Sequence, residues 1–518
     1  MDSLPDWLLP LPDAERMRAI DRWAIDERGV PSLDLMERAG AGVARTVERL
    51  VPDGPAVVVC GTGNNGGDGL VVARLLRDAG REVTVVCAGS PAQLTGDALA
   101  NLERLPGDEP VALEASANAL AGASVIVDAL LGTGFAGEPR GAVGEAIAAM
   151  VACAAPVVSV DVPSGVDAST GVVAGVAVRA RATVTFHAAK PGLWIHPGKA
   201  HAGAVEAIDI GIPHGGPHDA DIGLIQPAAL GLLPRRTAAS TKFSSGHVLV
   251  AGGSRGLTGA PRMAALGAMR AGAGYVTACV PASQQAIVAS GGPPELMTRG
   301  LPDADGALTP AGVEVVLEAA RRGGALALGP GLGRGDHAVA FARALARRAE
   351  VALVLDADGL NAHASNSEAH GGGHLDDLAQ REAATVLTPH PGELARLLDT
   401  DTDSIARERL AHARRAARRA GAVVVLKGDD TLVALPSGLV AVSPGDSPAL
   451  ASAGSGDVLS GVIAALLSQG LAPFEAAAAG VLLHVRAGRL AARAQGAAEG
   501  VIATDVIGAL PRARGDLT

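Results

Sequence analysis

Short runs of apolar residues alternate along the chain with longer stretches rich in alanine, leucine and arginine. In the first half, runs that predict buried strands occur at Ala56–Cys60, Val83–Cys87, Val125–Val127 and Val157–Val160. Each run is followed by a glycine-rich turn or a polar break. Because strands that are apolar throughout are typical of parallel sheets covered by helices on both faces, the pattern predicts the strand–helix repeats of an α/β fold.

A second series of apolar runs follows a segment that has neither helical nor strand periodicity. These runs predict strands at His247–Ala251, Ala325–Leu328, Val351–Leu355, Ala384–Leu387 and Ala422–Leu426. We therefore expect two α/β domains, over residues 11–213 and 225–515, joined by a linker over residues 214–224. The length of 518 residues also favours more than one core.

One segment of the second domain, residues 362–377, differs in composition from its surroundings. It is rich in His, Gly and Ser and predicts a mobile insertion. Its histidines could suggest a metal site, but a solvated loop fits this composition better.

The overall charge and the cysteines limit the classes of partner. A net charge of −11 argues against a nucleic-acid surface, although loop amides and helix N-termini can still hold a nucleotide. The four cysteines are scattered, which favours a reducing compartment and gives no zinc motif. The sequence has neither a signal-like N-terminus nor an apolar run of membrane-spanning length. We therefore expect a cytoplasmic protein with no nucleic-acid or membrane partner.

The first motif with chemical content is the turn Gly61–Gly69, which precedes a helix predicted at Leu70–Ala79. It contains the G-x-G-x-x-G spacing of dinucleotide-binding oxidoreductases. That interpretation also requires an acidic residue after the next strand, where Cys87–Ser90 offers none. The polar residues Asn64, Asn65 and Asp68 could cap the helix, but together they could also bind a hard cation or a sugar phosphate.

Two further predicted strands end in aspartate. Asp128 follows Val127, and Asp161 follows Val160. Ligands of open parallel sheets bind beyond the carboxyl ends of the strands, so we expect both side chains to project beside the asparagine turn. An aspartate in this position is often only a turn former. Polar groups at three converging strand ends make a binding site the better interpretation.

Four strings in this half carry a specific resemblance: CGTGNNGGDG, DALLGTGFAGEPRG, SVDVPSGVDASTG and FHAAKPGL. Together with an upstream helix predicted at Met17–Gly42, they resemble the NAD(P)H-hydrate epimerase family over about residues 11–213. The resemblance implies a Rossmann-like three-layer domain that binds potassium. It also implies that the domain interconverts the R and S forms of hydrated NADH and NADPH (NADHX and NADPHX).

The resemblance also implies roles for individual residues. The substrate would contact two segments: Asn64, Asn65, Gly66, Gly67 and Asp68, and Gly132, Thr133, Gly134, Phe135, Ala136, Gly137 and Glu138. The potassium ion would be held by Asn65, Asp128 and Ser164. Asp161 would contact the nicotinamide portion and is the candidate for proton transfer, with Lys190 polarising the substrate or orienting Asp161.

The most informative segment of the second half is Ala453–Gly461, which leads into an apolar helix. The amides of Gly454, Ser455 and Gly456 could close around an anion at the helix N-terminus. An aspartate there would repel a phosphate, so Asp457 is either a helix cap or a general base beside a transferred phosphoryl group. On this segment alone the two interpretations are about even.

Two more turns at predicted strand ends offer ligand contacts. Lys427–Thr431 combines a lysine with a hydroxyl, which suits phosphate, although solvated charge is the simpler explanation. His390 lies between two prolines on a rigid turn, which favours a fixed contact.

Together these turns resemble the ribokinase-like superfamily and, within it, the ADP- or ATP-dependent NAD(P)H-hydrate dehydratases, over about residues 225–515. The resemblance implies a three-layer α/β fold. It also implies that the hydrated coenzyme contacts Ala260, Gly331, His390 and Asp457. The adenine nucleotide would contact Lys427, Gly428, Asp429, Asp430, Thr431, Gly454, Ser455 and Gly456.

The resemblance to both families implies one repair reaction in two steps. The second domain would phosphorylate the ring hydroxyl of the S epimer, with Asp457 as base, anion-stabilising amides and Mg²⁺ on the nucleotide. Elimination of phosphate would then restore NADH or NADPH, while the first domain would convert the other epimer. The alternatives are a vitamin or sugar kinase fused to a Rossmann-like scaffold, or a scaffold without activity. Small apolar faces also favour a homo-oligomer.

Overall fold

The computed structural model describes residues 4–213, 215–216, 220–364 and 374–515. Contacts between Cα atoms divide the chain into two compact units. Pro10–Gly223 belongs to the first, and Pro5–Leu9 together with the chain from Leu224 onward belongs to the second. The predicted insertion falls largely on residues 365–373, which lie outside the described residues.

The first unit contains a sheet of seven strands. After a short strand near the N-terminus, β1 (Leu8–Pro10), the strands of this sheet are β2 (Ala56–Cys60), β3 (Val83–Cys87), β4 (Val111–Ala112), β5 (Val125–Ala129), β6 (Val157–Val160), β7 (Ala182–Phe186) and β8 (Ala204–Ile208). Their order is β4-β3-β2-β5-β6-β7-β8, and each neighbouring pair is parallel. All carboxyl ends therefore meet at one edge.

Helices cover both faces of this sheet. They are α1 (Ala14–Arg22), α2 (Ser32–Leu50), α3 (Asn64–Asp78), α4 (Gly96–Glu103), α5 (Ala117–Gly122), α6 (Gly141–Ala152) and α7 (Lys199–Ala202). Val58 of β2 packs in one core with Val47 of α2 and Leu70 of α3. Its neighbour Val57 points the other way and packs with Ile147 of α6. This alternation confirms the predicted three-layer arrangement.

Two predicted helix bounds are wrong. The helix expected at Met17–Gly42 is instead α1 and α2, separated where Gly29 adopts a positive φ of 69° and Pro31 precedes the first turn of α2. The helix expected from Leu70 begins six residues earlier, at Asn64. The asparagines and Asp68 are thus part of the first turns of α3 and do not form a separate loop.

The second unit is built on a sheet of eleven strands. In addition to β1 it contains β9 (Ile222–Ile225), β10 (His247–Ala251), β11 (Tyr275–Pro281), β12 (Met297–Leu301), β15 (Ala325–Leu328), β16 (Ala352–Leu355), β17 (Thr385–Leu387), β18 (Val423–Leu426), β19 (Leu432–Ala434) and β20 (Val440–Val442). The order is β1-β9-β20-β19-β18-β17-β16-β15-β10-β11-β12. The strands from β18 to β12 are parallel, whereas β19 is antiparallel to both β18 and β20. A separate hairpin is formed by β13 (Asp303–Ala304) and β14 (Ala307–Leu308).

The predicted linker is shorter than expected, because residues 222–224 are part of β9. Their apolar sequence is short, and the surrounding glycine, proline and histidine residues obscured it.

The helices of the second unit are α8 (Gly259–Arg270), α9 (Gln285–Ser290), α10 (Val313–Ala320), α11 (Asp336–Arg348), α12 (Asp358–Asn361), α13 (Pro391–Leu398), α14 (Thr402–Arg407), α15 (Arg409–Ala420), α16 (Ser455–Ser468), α17 (Pro473–Gln495) and α18 (Ala503–Gly515). Helix α16 packs against α8, α17 and the central strands β10, β15 and β16. Its residues are buried on all sides from Val458 to Leu467. In the described part of the chain, no helix is both long enough and apolar enough to span a membrane.

Candidate functional site

The first unit contains a cavity of about 720 Å³ between α1, α2 and the carboxyl ends of β2, β5 and β6. Most of the predicted substrate residues line it: Asn64, Asn65, Asp68, Gly132, Thr133, Gly134, Phe135, Asp161 and Lys190. The strand ends thus converge as the sequence predicts. Ala136, Gly137 and Glu138 are not part of the lining, and the latter part of that segment is exposed at the surface.

Gly66 and Gly67 also do not line the cavity, because they are packing positions. A Cβ on Gly66 would lie 1.9 Å from the carbonyl oxygen of Gly61, and one on Gly67 would lie 2.8 Å from Sδ of Met36. Only glycine permits the first turn of α3 to approach these groups. The glycines of this motif therefore position the asparagine and aspartate side chains.

Asp161 and Lys190 form the polar centre of the cavity. Lys190 is 1% exposed, and its Nζ donates to Oδ1 of Asp161 at 2.8 Å, to Oγ1 of Thr185 at 2.8 Å and to the carbonyl oxygen of Phe186 at 3.0 Å. Burial raises the pKa of Asp161, but the charge of Lys190 and the hydrogen bonds from Lys190 and Thr133 outweigh it, so the net pKa is below its usual value. Asp161 is therefore a stable carboxylate.

The backbone of Asp161 aims its side chain into the cavity. Its φ is 66°, in the left-handed region that Asp and Asn tolerate better than most residues. The amide of Asp161 donates to the carbonyl of Val184 on β7 at 2.8 Å, which fixes the turn after β6. A sequence pattern alone does not reveal this conformation.

Two other carboxyl groups of the cavity differ from Asp161. Burial, reinforced by the negative charges of Asp161 and Asp21, raises the pKa of Asp68 well above its usual value. Burial also raises the pKa of Asp21, with Lys190 opposing the shift and Asp161 reinforcing it. Asp21 lies on α1 and was missed in the sequence, because it is one of two acidic residues on an amphipathic helix and belongs to no motif.

Of the residues predicted to hold potassium, Asn65 lines the cavity, and Asp128 and Ser164 lie beside it. Asp128 is fully buried and accepts from Oγ of Ser159 at 2.8 Å, from the amide of Ser164 at 2.9 Å and from Oγ of Ser164 at 2.5 Å. Contrary to expectation, Asp128 does not line the cavity. Within the described chain it has no cationic partner, and burial raises its pKa despite the hydrogen bonds. Nδ2 of Asn65 is also buried and has no hydrogen-bond partner among the residues that the structure describes.

In the second unit, the turn before α16 has the shape of an anion cradle. Gly454 has a φ of 86°, and a Cβ there would lie 2.3 Å from Sδ of Met263, so the position requires glycine. Oγ of Ser455 donates to the carbonyl of Leu450 at 2.7 Å. Asp457 lies in the first turn of α16, beside amides that are free of intrahelical acceptors.

A second lysine, which is half-buried, lies next to this turn. Nζ of Lys427 donates to Oδ1 of Asp356 at 2.8 Å and lies 3.7 Å from Oε2 of Glu393. Oγ of Ser460, on α16, donates to Oδ2 of Asp356 at 2.6 Å. A Cβ on Gly456 would lie 3.4 Å from the same Nζ. Lys427 therefore connects the ends of β16, β17 and β18 to the cradle; no role was predicted for Asp356, Glu393 or Ser460.

The electrostatics of this cluster favour Asp457 as a base. Burial and the negative charges of Asp356 and Glu393 raise its pKa to about 7, although Lys427 opposes the shift. Burial likewise raises the pKa of Glu393. A carboxylate with a pKa near neutrality can accept a proton efficiently at physiological pH, which helix capping does not require.

The residues of this unit that were predicted to contact the coenzyme also include Ala260, Gly331 and His390. Gly331 lies against Ala260, since a Cβ on Gly331 would lie 3.0 Å from that of Ala260. Nδ1 of His390 accepts from the amides of Gly392 and Glu393, and burial lowers its pKa to about 4. The imidazole is therefore neutral and fixed in orientation.

The turn after β18 is only partly available to a ligand. Asp430 is 1% exposed and pairs with Arg409, whose Nε donates to its Oδ2 at 2.9 Å. Thr431 is also buried and donates to the carbonyl of Gly428 at 2.6 Å. Asp429 is exposed and accepts from the amide of Asp446 at 2.7 Å. Asp430 and Thr431 thus stabilise the turn that carries Lys427.

No group of three or more His, Cys, Asp or Glu side chains could hold a metal ion in the part of the chain that is described. The donor atoms around Asp128 and around Lys427 are oxygens, the type preferred by hard cations.

Comparison with known proteins assigns both halves of the chain to known families. Residues 32–192 match the family described as YjeF-related protein N-terminus, and residues 248–512 match the family described as NAD(P)H-hydrate dehydratase. The bifunctional NAD(P)H-hydrate repair enzyme of Moorella thermoacetica is 41% identical over 96% of this chain and 95% of its own. The bifunctional NAD(P)H-hydrate repair enzyme of Salinibacter ruber is 41% identical over 97% of this chain and 96% of its own.

Among solved structures, the ADP/ATP-dependent NAD(P)H-hydrate dehydratase of Bacillus subtilis is 29% identical, with a TM-score of 0.45. The match covers 55% of this chain and 94% of that one. The matches to these full-length relatives extend over both units. The chain belongs to the family of bifunctional NAD(P)H-hydrate repair enzymes.

Proposed function

We propose that this chain repairs hydrated NADH and NADPH, with an epimerase in the first unit and an ADP- or ATP-dependent dehydratase in the second. The observation that carries the proposal is the presence of two buried lysine–carboxylate clusters, each at the carboxyl ends of parallel strands. They lie in a chain that matches bifunctional repair enzymes over 96% of its length. A single-activity kinase fused to a scaffold has no need for the first cluster.

In the epimerase, the cavity binds the hydrated nicotinamide ring against Asp161. Its volume of about 720 Å³ is ample for the ring, its ribose and adjoining phosphates. The first turns of α3 present amides that favour the negative charge of a phosphate. Asp161 stays ionised beside Lys190 and so stabilises positive charge that develops on the ring.

Potassium fits the residues beside this cavity. Asp128 is a buried carboxyl group with hydroxyl and amide donors but no cationic partner among the described residues. A buried carboxylate is costly unless a positive charge compensates it. Side-chain oxygens of Asn65, Asp128 and Ser164 would hold the ion, which would supply that charge and rigidify the turns after β5 and β6.

In the dehydratase, the residues around Lys427 bring a nucleotide and the hydrated ring together. Lys427 and the amides of Gly454–Gly456 bind phosphate oxygens, and Ala260, Gly331 and His390 contact the coenzyme. Asp457 takes the proton of the ring hydroxyl while the oxygen of that hydroxyl receives the phosphoryl group from the nucleotide. Phosphate then leaves with the carbon–oxygen electron pair, a proton leaves the neighbouring carbon, and the double bond forms again.

Magnesium also fits the second site. Mg²⁺ usually binds nucleotide phosphates together with one or two carboxylates, and Asp356 and Glu393 lie beside the lysine that would meet those phosphates. Bound there, the ion would neutralise phosphate charge.

The test is repair of a mixture of the R and S hydrates by the complete chain. With Mg²⁺, K⁺ and either ADP or ATP, near-UV absorbance should recover fully, faster than uncatalysed epimerisation permits. Recovery that stops at the S fraction would contradict the epimerase, and no recovery with either nucleotide would contradict the dehydratase. A stable phosphorylated product would favour a vitamin or sugar kinase instead. A cytoplasmic location and a homo-oligomer complete the proposal.

A further inference from the structure

The cavity of the first unit contains more titratable groups than substrate binding requires. Its charged lining residues are Arg18, Asp21, Asp68, Asp97, Asp161 and Lys190. Among the acidic members, Asp161 forms an ion pair with Lys190 at 2.8 Å. Asp21 approaches from another direction, on α1, and its side chain forms no hydrogen bond or ion pair with any residue that the structure describes. An unpartnered carboxyl group on the wall of a ligand cavity is available to the ligand.

Asp161 is poorly suited to exchange protons. Its Oδ1 accepts from Lys190 and Thr185, and its Oδ2 accepts from the amide of Thr133 at 2.8 Å and from its Oγ1 at 2.6 Å. Protonation would disrupt these charge-assisted bonds. The sequence suggested Asp161 for proton transfer, but this environment favours a permanent negative charge that stabilises a cationic ring.

Epimerisation nevertheless requires a proton donor. In the hydrate, water has added across the carbon–carbon double bond of an enamine, and the hydroxyl group lies on the carbon next to nitrogen. The two epimers therefore differ in configuration at that carbon. Protonation of the hydroxyl lets the carbon–oxygen bond break, and its electron pair leaves with water. The nitrogen lone pair forms a carbon–nitrogen double bond. Water then adds to the other face of the planar cation and returns one proton, so atoms and charge balance without an oxidant or reductant.

We propose that Asp21 is a catalytic residue of the epimerase, which gives the departing hydroxyl its proton and takes one back when water adds. The inference rests on the epimerase activity proposed for the first unit. Asp161 and Asp21 then have separate roles, because the first stabilises the cation and the second moves the proton. The raised pKa of Asp21, which burial and Asp161 cause against the opposing charge of Lys190, keeps this carboxyl group protonated to higher pH.

The test compares Asp21→Asn with wild type in the complete chain, with epimerisation of R-hydrate measured above the uncatalysed rate. Loss of a general acid should lower kcat about 10²- to 10⁴-fold. KM should change little, because Asn keeps the size and polarity of the side chain. Asp21→Glu should recover part of the activity. Dehydration of the S epimer by the same protein reports that the second unit is folded, and the thermal midpoint of the first unit, compared with that of wild type by scanning calorimetry, reports that the first unit is folded.

Glu15→Gln is the matched control. Glu15 is an exposed acidic residue on the same helix that does not line the cavity, so this variant should keep wild-type epimerisation. Equal losses in both variants, or an Asp21→Asn rate within twofold of wild type, would overturn the role of Asp21. So would a rise in KM with kcat unchanged. If wild type itself does not epimerise, the proposed function fails instead.

The pH profile gives an independent readout. Wild-type kcat should fall as pH rises through the pKa of Asp21, since the acid must be protonated. Arg18, Asp68, Asp97, Asp161 and Lys190 all face the same cavity and set its field. In Asp21→Asn the residual rate should lose this decline or show it at a different pH. A decline with an unchanged midpoint would assign it to Asp68 and contradict the proposal.

Discussion

The two units hold the same combination of groups in different environments. In the first, Lys190 is 1% exposed and donates to one carboxylate and two neutral oxygens. In the second, the side chain of Lys427 is 19% exposed and lies between Asp356 and Glu393. The first lysine is fully occupied by protein atoms, whereas the second has room for a ligand.

The carboxyl groups around each lysine show what this difference does. One carboxylate in each cluster binds the lysine at 2.8 Å, while burial raises the pKa of others nearby. One lysine charge compensates the carboxylate that it binds, and the pKa of the neighbouring carboxyl groups stays raised. A cluster of this kind thus supplies both a permanent charge and a titrating group, and the reaction determines whether that group acts as acid or base.

The largest effect on activity is expected when the titrating group of the second unit is removed. Asp457→Asn should lower dehydration about 10³-fold, because the amide cannot accept the hydroxyl proton. Epimerisation should stay at the wild-type rate, since Asp457 belongs to the other unit. Near-UV absorbance with S-hydrate and either nucleotide measures dehydration. Interconversion of the separated epimers measures epimerisation. Normal dehydration by this variant would assign Asp457 to helix capping.

The corresponding change in the first unit removes the permanent charge. Asp161→Asn should lower epimerisation about 10²- to 10³-fold, because a neutral amide cannot stabilise a cationic ring. Asn tolerates the left-handed backbone, but Lys190 loses its counter-ion, which should destabilise the first unit by about 3–5 kcal/mol.

A milder variant keeps that prediction testable if the unit unfolds. Thr133→Ala removes one hydroxyl donor to Asp161 and should cost about tenfold in epimerisation, with dehydration unchanged. Wild-type epimerisation in both variants would show that Asp161 is structural.

The rates of dehydration and epimerisation should depend on pH in opposite directions. Dehydration needs Asp457 ionised, so its kcat/KM should rise about tenfold per pH unit below the pKa of about 7 and level off above it. Epimerisation needs a protonated carboxyl group and should fall as pH rises through the raised pKa of Asp21. Profiles of the two activities measured on one preparation should therefore have opposite slopes. Parallel profiles would contradict the division into base and acid.

The smallest expected effect concerns potassium. Replacing K⁺ with tetramethylammonium at equal ionic strength should lower the thermal midpoint of the first unit by about 2–4 °C, equivalent to about 1 kcal/mol. Scanning calorimetry of the complete chain measures it. Asp128→Asn removes the charge that the ion would compensate and should abolish the difference between the salts. Equal midpoints for wild type in both salts would contradict the site.

Much of the fold could be predicted because the core strands are short, apolar and separated by glycine. The runs at Ala56–Cys60 and His247–Ala251 form strands with those bounds. Strands with polar or small residues, such as β7 (Ala182–Phe186) and β12 (Met297–Leu301), gave no such pattern. The start of α3 was missed because its first turn is rich in glycine, and tertiary packing against Gly61 and Met36 overrides that low helix propensity.

Some of the proposed site residues lie in motifs that the sequence alone shows. Asp161 follows a predicted strand and Asp457 lies in the glycine-rich turn before a predicted helix, and in the structure each lies near a lysine. Asp21 and Asp356 could not be assigned, because their importance comes from three-dimensional proximity to Lys190 and Lys427. The burial of Asp128 and Asp430 likewise depends on partners distant in the sequence.

The strand β1 carries a consequence for synthesis of the chain. It belongs to the sheet of the second unit, where it neighbours β9, and Trp7 packs against Phe474 at 5.5 Å between ring centroids. The ribosome releases β1 before the first unit and its partner strands only after that unit, an interval on the order of ten seconds or more at about 5–20 residues per second. During that time Trp7 and Leu8 have nowhere to bury their side chains. A second unit expressed from Leu224 would lack this strand altogether, and in the growing chain a chaperone that binds short apolar segments would have a target there.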